Sequence, residues 1–310
     1  VSSILFAAGL GKRLRPLTDV VAKPALPVLD VPLGSWGLAS LLRSAPPVIV
    51  NASHLPGTIK SAFAWFGLVE RSGWEMFLEE PEGFGTAGTL RALRDRFEGP
   101  VVTHNGDLIC DLDPALVLRS HAKLGALATV VVKPVDDRAD MELDGDVVRT
   151  VIDRRETSIP GWQFVGLAAF EPAALQLLPD ERPAGLGETL LPLLAERGQL
   201  AAHRFHGYAL DVGTPERYLR ANLDALYGIA PSASHPGVVL DVPGGLAYAG
   251  PEAVVHGDSL GPGAIVLSGA RVEEGARLEN AVVWPNERVP ASAHISDAIW
   301  AFDGPIEATI

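Results

Sequence analysis

Cysteine is almost absent: Cys110 stands alone in 310 residues. A single thiol excludes an intrachain disulfide framework and a cysteine-based zinc site. That usage fits a reducing compartment, and a cytoplasmic location is expected. No apolar run approaches the roughly 18 residues of a membrane helix, although 47% of the chain is hydrophobic. No basic region or cleavage pattern comes before the first strand-like run, so no leader peptide is expected. Lysine is scarce too, five against twenty arginines. Acids outnumber bases 38 to 25, a formal net charge of −13. Without a basic block, a general nucleic-acid or anionic-membrane surface is excluded. A local cationic loop that holds an anion is not. The length and apolar content that remain suit one large α/β domain with a smaller appendage.

From residue 1 to 227 short apolar runs alternate with helix-length amphipathic runs. Ser3–Ala8, Val48–Asn51, Glu75–Glu79, Val101–His104 and Ala128–Lys133 read as strands. Helices are expected near 35–44, 57–66, 87–97 and 113–123. This alternation predicts a parallel sheet covered on both faces. Between 141 and 170 the pattern turns to strands joined by turns, with a DGD turn in Glu142–Asp146 and a strand over Gln163–Phe170. Helices return near 172–178, 186–197 and 214–227, and Gly228 reads as a stop.

Ala230–Gly237 is rich in Pro and Ser and reads as a linker. Beyond it the period changes. Leu260, Val266, Val272 and Leu278 fall six residues apart; Val289 and Ile295 continue the step after a slip of one. Gly263, Gly269, Gly275, Ala281, Ser292 and Ala298 supply a small residue three positions after an apolar one. That hexapeptide pattern predicts a left-handed parallel β-helix, whose stacked coils bury the apolar positions. The expected fold is therefore α/β: a Rossmann-like doubly wound mixed sheet over 1–227, then a linker and short β-helix over 228–310. The tail has no lysine and three arginines against ten acids, which directs a phosphate-rich ligand to the first domain.

The loop after the first strand is Ala7-Ala8-Gly9-Leu10-Gly11-Lys12-Arg13-Leu14-Arg15. Two glycines let backbone amides approach an anion, and three cations follow at once. This is the chemistry of a polyphosphate cradle. It is neither a P-loop nor a GxGxxG dinucleotide loop, since position 14 is Leu. Lys23-Pro24-Ala25-Leu26-Pro27-Val28 comes ten residues after Arg13. In a chain whose default cation is arginine, this lysine marks a place for a compact point charge.

AAGLGKRLRPLTDVVAKPALPVLDVPL resembles the signature opening of the sugar-1-phosphate nucleotidylyltransferases, or NDP-sugar pyrophosphorylases. The resemblance continues through VIVNASHLPGTI, EEPEGFGTAGTL, THNGDLI, FVGLAAF and YALDVGTPERYLRAN, and so spans 1–227 in order. The hexapeptide tail is similar to that of mannose-1-phosphate guanylyltransferase types. Without the tail, the first domain also resembles N-acetylmuramate-1-phosphate uridylyltransferase.

The resemblance implies a role for each matching residue. Arg13, Lys23 and Asp107 are the catalytic candidates. Ala8, Gly9, Gly11, Lys12 and Arg13 cradle the nucleotide phosphates. Gly85, Thr86, Ala87 and Gly88 hold the base, and Asn105 and Gly106 complete the nucleotide site. Asp107 and Asp211 bind Mg²⁺, a hard ion that prefers oxygen ligands. Taken alone, NGD reads as a β-turn and DVGTP as a helix cap in which Thr214 precedes Pro215. On the sugar side, Asp153-Arg154-Arg155-Glu156 stands where many members carry an EKP-like segment. Arg155 and Glu156 are either sugar contacts or surface charges. Gly166 gives room under the sugar. Glu188 is either a partner for a sugar hydroxyl or a helix-start acid. Lys12 departs from the commoner threonine at that position. His203 and His206 lie on a strand-like stretch and do not read as a zinc pair. Cys110 reads as a small buried residue.

The implied reaction joins an NTP and a sugar 1-phosphate to give an NDP-sugar and pyrophosphate. GTP and mannose 1-phosphate are the favoured pair. UTP with N-acetylmuramate or hexose 1-phosphate stays open, as does a non-catalytic sensor of NDP-sugars. Partners other than substrates are expected only as further copies of the chain, through the β-helix.

Overall fold

The computed structural model describes residues 2–68, 73–80, 82–152 and 159–309. The chain packs as two compact units, Val1–Leu10 with Gly34–Ala209, and Gly11–Leu33 with Leu210–Ile310.

The first unit is built on a nine-stranded sheet. Ser2–Phe6 runs parallel to Val48–Ala52 on one side and to Val101–Asn105 on the other. Trp74–Leu78 extends the parallel run beyond Val48–Ala52. Ile4, Leu5, Val48, Val50, Val101 and Val102 are fully buried, as apolar strands covered on both faces must be. The chain moves outward through Val48–Ala52 and Trp74–Leu78, then returns to the opposite side of Ser2–Phe6. That reversal is a topological switch point, where open α/β sheets take ligands at the carboxyl ends of the strands.

The rest of the sheet is mixed rather than parallel throughout. Gly161–Phe170 runs antiparallel between Val101–Asn105 and Ala128–Val135. Leu200–Arg204 is parallel to Ala128–Val135, and the hairpin of Met141–Asp144 and Val147–Val151 continues the sheet, with Met141 also paired to Trp162. Gly145 (φ 60°) makes the expected DGD turn. A hairpin reverses the chain without a crossover helix, so alternation of strands and helices stops predicting direction here.

Ser35–Ser44, Pro56–Trp65 and Pro114–Leu124 are helical as their spacing predicts. Asp113 caps the last by accepting from Ala115 N at 2.9 Å. The helix expected over 186–197 covers only Leu190–Glu196, after a turn carrying Gly185 and Gly187. The one expected over 172–178 is a single turn, Pro172–Leu175.

The second unit unites a stretch near the N-terminus with the C-terminal third, so its limits differ from a division at residue 227. The Pro27–Val28 and Val31–Pro32 hairpin packs with the Pro215–Leu226 helix. Asn222 Oδ1 accepts from Leu29 N at 3.0 Å, and Tyr218 Oη donates to Pro27 O. These links join residues nearly two hundred positions apart, which no local pattern reveals. The Ala230–Gly237 segment carries no helix or strand.

Beyond it, parallel strands stack in register. Tyr248, Ile265, Val282 and Ile299 pair in succession, each 17 residues after the last. Val255, Val272 and Val289 form a second stack, and Leu260, Leu278 and Ile295 a third. Val266, Val272, Leu278, Val283, Val289 and Ile295 are buried at steps of six, six and five. The five accounts for the slip in the sequence period. The small residues divide into two kinds. Gly263, Gly269 and Gly275 take left-handed backbone at corners, whereas Ala281 and Ala298 are buried within strands.

Candidate active site

In the second unit, Gly11 opens the cationic loop in a left-handed conformation (φ 61°, ψ 27°). A Cβ there would stand 2.8 Å from the Thr18 methyl. Thr18 Oγ1 donates to Gly11 O at 2.9 Å, closing the loop on itself. Lys12, Arg13 and Leu14 form a single 3-10 turn. Leu14 is fully buried and anchors the turn, while Lys12 and Arg13 are exposed. Lys23 is different: its side chain is only 11% exposed, and Nζ lies 3.9 Å from Asp211 Oδ1. Arg217 Nη1 lies 3.2 Å from Asp211 Oδ2. The Arg13 guanidinium lies over Gly213, where a Cβ would come within 2.8 Å of Nη2. Three cations thus gather about Asp211 and Gly213.

Arg217 was not singled out by sequence reasoning. A cation in the first turn of a helix opposes the helix dipole, and that is the signal it carries. Thr214 caps the helix by accepting from Arg217 N, and Pro215 occupies its first position.

In the first unit, Asn105-Gly106-Asp107 follows the Val101–Asn105 strand at the switch point. Gly106 N donates to Phe6 O at 2.8 Å, tying the turn to the first strand. Asp107 is half-buried. Beneath it His104 is 2% exposed, and burial holds its pKa down to about 4 despite Asp107 nearby. The ring is therefore neutral, and Nδ1 donates to Asn105 O at 2.7 Å. At Gly166 (φ 98°) the space expected for a sugar is occupied by a side chain. The Asn105 amide lies over it, 2.5 Å from where a Cβ would be.

The Gly85–Gly88 segment is closely packed within the same unit. Gly85 (φ 75°) lies against the Ala184 backbone, with no room for a Cβ. Ala184 O accepts from Ala87 N (2.9 Å) and Gly88 N (3.3 Å), and Thr86 Oγ1 accepts from Leu186 N (2.9 Å). Ala87 and Gly88 are buried. These residues pack the helix start against the 184–186 turn. Glu188 folds back over Gly185 in that turn, before the helix rather than within it. Ala8 is half-buried; Gly9 is exposed, with open space where a Cβ would be. Arg155 and Glu156 lie outside the described residues.

A buried network missed by the sequence reading holds this region. Glu79 is 1% exposed. Its carboxylate accepts from Asn51 Nδ2 (2.7 Å), Thr89 Oγ1 (2.5 Å) and Phe84 N (2.5 Å). Asn51 Oδ1 accepts from Ala7 N at 2.6 Å. One carboxylate thereby ties the chain before Gly9 to both ends of the base segment. The polar Asn51 closing the apolar run Val48-Ile49-Val50 is the only mark it leaves in the sequence.

Asp107 and Asp211 offer carboxylate oxygens, the donors Mg²⁺ takes. Among the described residues, no group of three or more His, Cys, Asp or Glu side chains could hold a metal ion. His203 is half-buried on its strand; His206 lies beyond it, against Trp162 at 5.9 Å. Burial pushes the Cys110 thiol up to about 11, so it is protonated and not a nucleophile at neutral pH. Among the described residues, no helix is long and apolar enough to cross a membrane.

Comparison with known proteins bears on the family of the chain. A mannose-1-phosphate guanylyltransferase of Mycobacterium tuberculosis is 27% identical over 95% of this chain and 83% of its own length. A UTP–glucose-1-phosphate uridylyltransferase of Synechocystis is 26% identical over 90% of this chain and 76% of its own. The solved structure of HddC from Yersinia pseudotuberculosis has the same fold, with a TM-score of 0.61 at 22% identity, over 71% of this chain and 97% of that one. Residues 2–227 match the nucleotidyl transferase family. The chain belongs to that family and is a nucleotidyltransferase enzyme.

Proposed function

We propose that the enzyme joins an NTP to a sugar 1-phosphate, releasing pyrophosphate and an NDP-sugar, with GTP and mannose 1-phosphate as its pair. The observation that carries the reading is the gathering of Arg13, Lys23 and Arg217 about Asp211. A phosphate oxygen of the sugar phosphate attacks the α-phosphorus. The bond from that phosphorus to the β-bridging oxygen breaks, and pyrophosphate leaves with the electron pair. The nucleophile is already an anion, so no protein base is needed. Two anions must be brought together, and positioned positive charge does that work.

Arg13 and Lys12 bind the β- and γ-phosphates and stabilise the leaving pyrophosphate. Lys23 neutralises charge at the α-phosphate and the incoming phosphate. Asp107 and Asp211 are the residues assigned to Mg²⁺. Bound magnesium supplies charge neutralisation on phosphate oxygens. Ala8, Gly9, Gly11, Asn105 and Gly106 are assigned to the nucleotide. Gly85, Thr86, Ala87 and Gly88 are assigned to the base. Gly166 and Glu188, with Arg155 and Glu156, are assigned to the sugar side. We read the stacked C-terminal strands as a left-handed parallel β-helix that can join copies of the chain.

The names of relatives such as the M. tuberculosis protein favour mannose and GTP. The Synechocystis relative favours a second reading, UTP with a hexose 1-phosphate. Incubation with Mg²⁺, each of four NTPs and a panel of sugar 1-phosphates, read by mass spectrometry, separates them. GDP-mannose as the main product is expected. A UDP-sugar alone overturns the choice of pair, and no NDP-sugar from any pair overturns the reaction.

A further inference from the structure

Asp30 is a carboxylate only 4% exposed, in left-handed backbone (φ 63°) at the tip of the 27–32 hairpin. A buried carboxylate is costly unless donors surround it. Here the donors come from the C-terminal strands. Tyr248 Oη donates to Asp30 Oδ2 (3.0 Å), and Ser268 N donates to Oδ1 (2.9 Å). Tyr248 Oη accepts from Gly237 N (3.0 Å) and lies 3.1 Å from Leu29 O. The surroundings are cleared for this contact. A Cβ at Gly250 would collide with Asp30 Oδ2, and one at Gly237 would stand 2.5 Å from the Tyr248 hydroxyl. Burial, with Asp30 beside it, pushes the Tyr248 phenol above its ordinary range, so it remains a donor.

Asp30 is seven residues beyond Lys23, and the chain between them has little freedom. Lys23–Ala25 is a 3-10 turn, and prolines fix φ at 24 and 27. Leu26 N donates to Lys23 O (3.1 Å), and Leu33 N donates to Leu26 O (2.8 Å). Displacing the hairpin tip therefore displaces Lys23.

We propose that Asp30 is a positioning residue: clasped by Tyr248 and Ser268, it fixes the hairpin that follows Lys23, so that the C-terminal strands set the placement of that lysine. The inference rests on the role given to Lys23 above.

Asp30→Asn leaves one amide oxygen for two donors, Tyr248 Oη and Ser268 N, and turns an N–H toward the other; Tyr248→Phe removes one of the two donors. With only five lysines, each is easily followed by mass spectrometry. In timed acetylation of the full chain, Lys23 is expected to react about fivefold faster in Asp30→Asn and about twofold faster in Tyr248→Phe, with Lys60 and Lys123 unchanged. With the favoured substrates, kcat of Asp30→Asn is expected to fall about tenfold while the KM for NTP stays within about twofold. A purely structural role would lower stability and leave that split unmoved. Unchanged Lys23 labelling in both variants overturns the proposal. So does a rise at every lysine alike, or an unaffected kcat despite faster labelling. Selective labelling in a protein whose wild type makes no NDP-sugar supports the clasp and counts against the proposed reaction instead.

Discussion

Arg13 is exposed and holds no core together, whereas Lys23 is nearly enclosed and paired. Replacing Arg13 should therefore separate chemistry from stability. Arg13→Ala and Asp107→Ala are each expected to lower kcat/KM by at least about 100-fold, with melting temperatures within about 3 °C of wild type. Coupled pyrophosphate release and differential scanning fluorimetry check this; a well-folded variant of near-normal activity contradicts the roles assigned. His104 makes a prediction of the opposite kind. Its pKa is held near 4 in the fold against 6.5 in the free side chain. The unfolded chain therefore binds more protons below pH 6.5, and stability falls as pH drops from there toward 4. From pH 7.5 to 5 the loss from this residue is about 2 kcal/mol. Urea unfolding of wild type and His104→Gln at both pH values measures it, and the variant should show the smaller loss.

At the scale of elements, Gly85 and Gly166 meet close neighbours, whereas Gly9 faces open space. Gly85 needs positive φ and meets the Ala184 backbone, which cannot move aside as a side chain could. Gly85→Ala is expected to cost about 2–3 kcal/mol and to reduce activity, because the base segment and the 184–186 turn shift together. Removing the Glu79 carboxylate leaves Asn51, Thr89 and Phe84 N without their shared acceptor. Glu79→Ala should destabilise by about 3 kcal/mol, read as a lower urea midpoint. The parallel strands and the helices Ser35–Ser44, Pro56–Trp65 and Pro114–Leu124 were legible because their apolar period is strong and local. The antiparallel Gly161–Phe170 strand was seen as a strand but not in its central place, since pairing is not written in period. The site motifs were legible as loops and turns at strand ends. They did not reveal that Asn105 covers Gly166 or that Ala184 meets Gly85, because both partners are distant in sequence and plain in composition.

For the whole molecule, the two units cut across the expected division at 227. Hexapeptide spacing foretold the buried apolar stacks of the tail but not their link to residues 27–30. The structure therefore predicts that a chain ending at 227 keeps much of its sheet signal in far-ultraviolet circular dichroism yet loses most of its turnover. The tail it lacks carries Tyr248 and Ser268, the partners of Asp30. Full activity of the shortened chain contradicts that assignment. The net charge of −13 makes the cationic loop stand out as the place for polyanions. The most direct test is the initial rate of pyrophosphate release from GTP and mannose 1-phosphate with Mg²⁺, measured for wild type, Lys23→Ala and Lys60→Ala together. Release by wild type and Lys60→Ala, with loss of at least about 100-fold in Lys23→Ala, is the predicted result. Equal rates in all three would contradict the account, as would silence of the wild type with every NTP and sugar 1-phosphate.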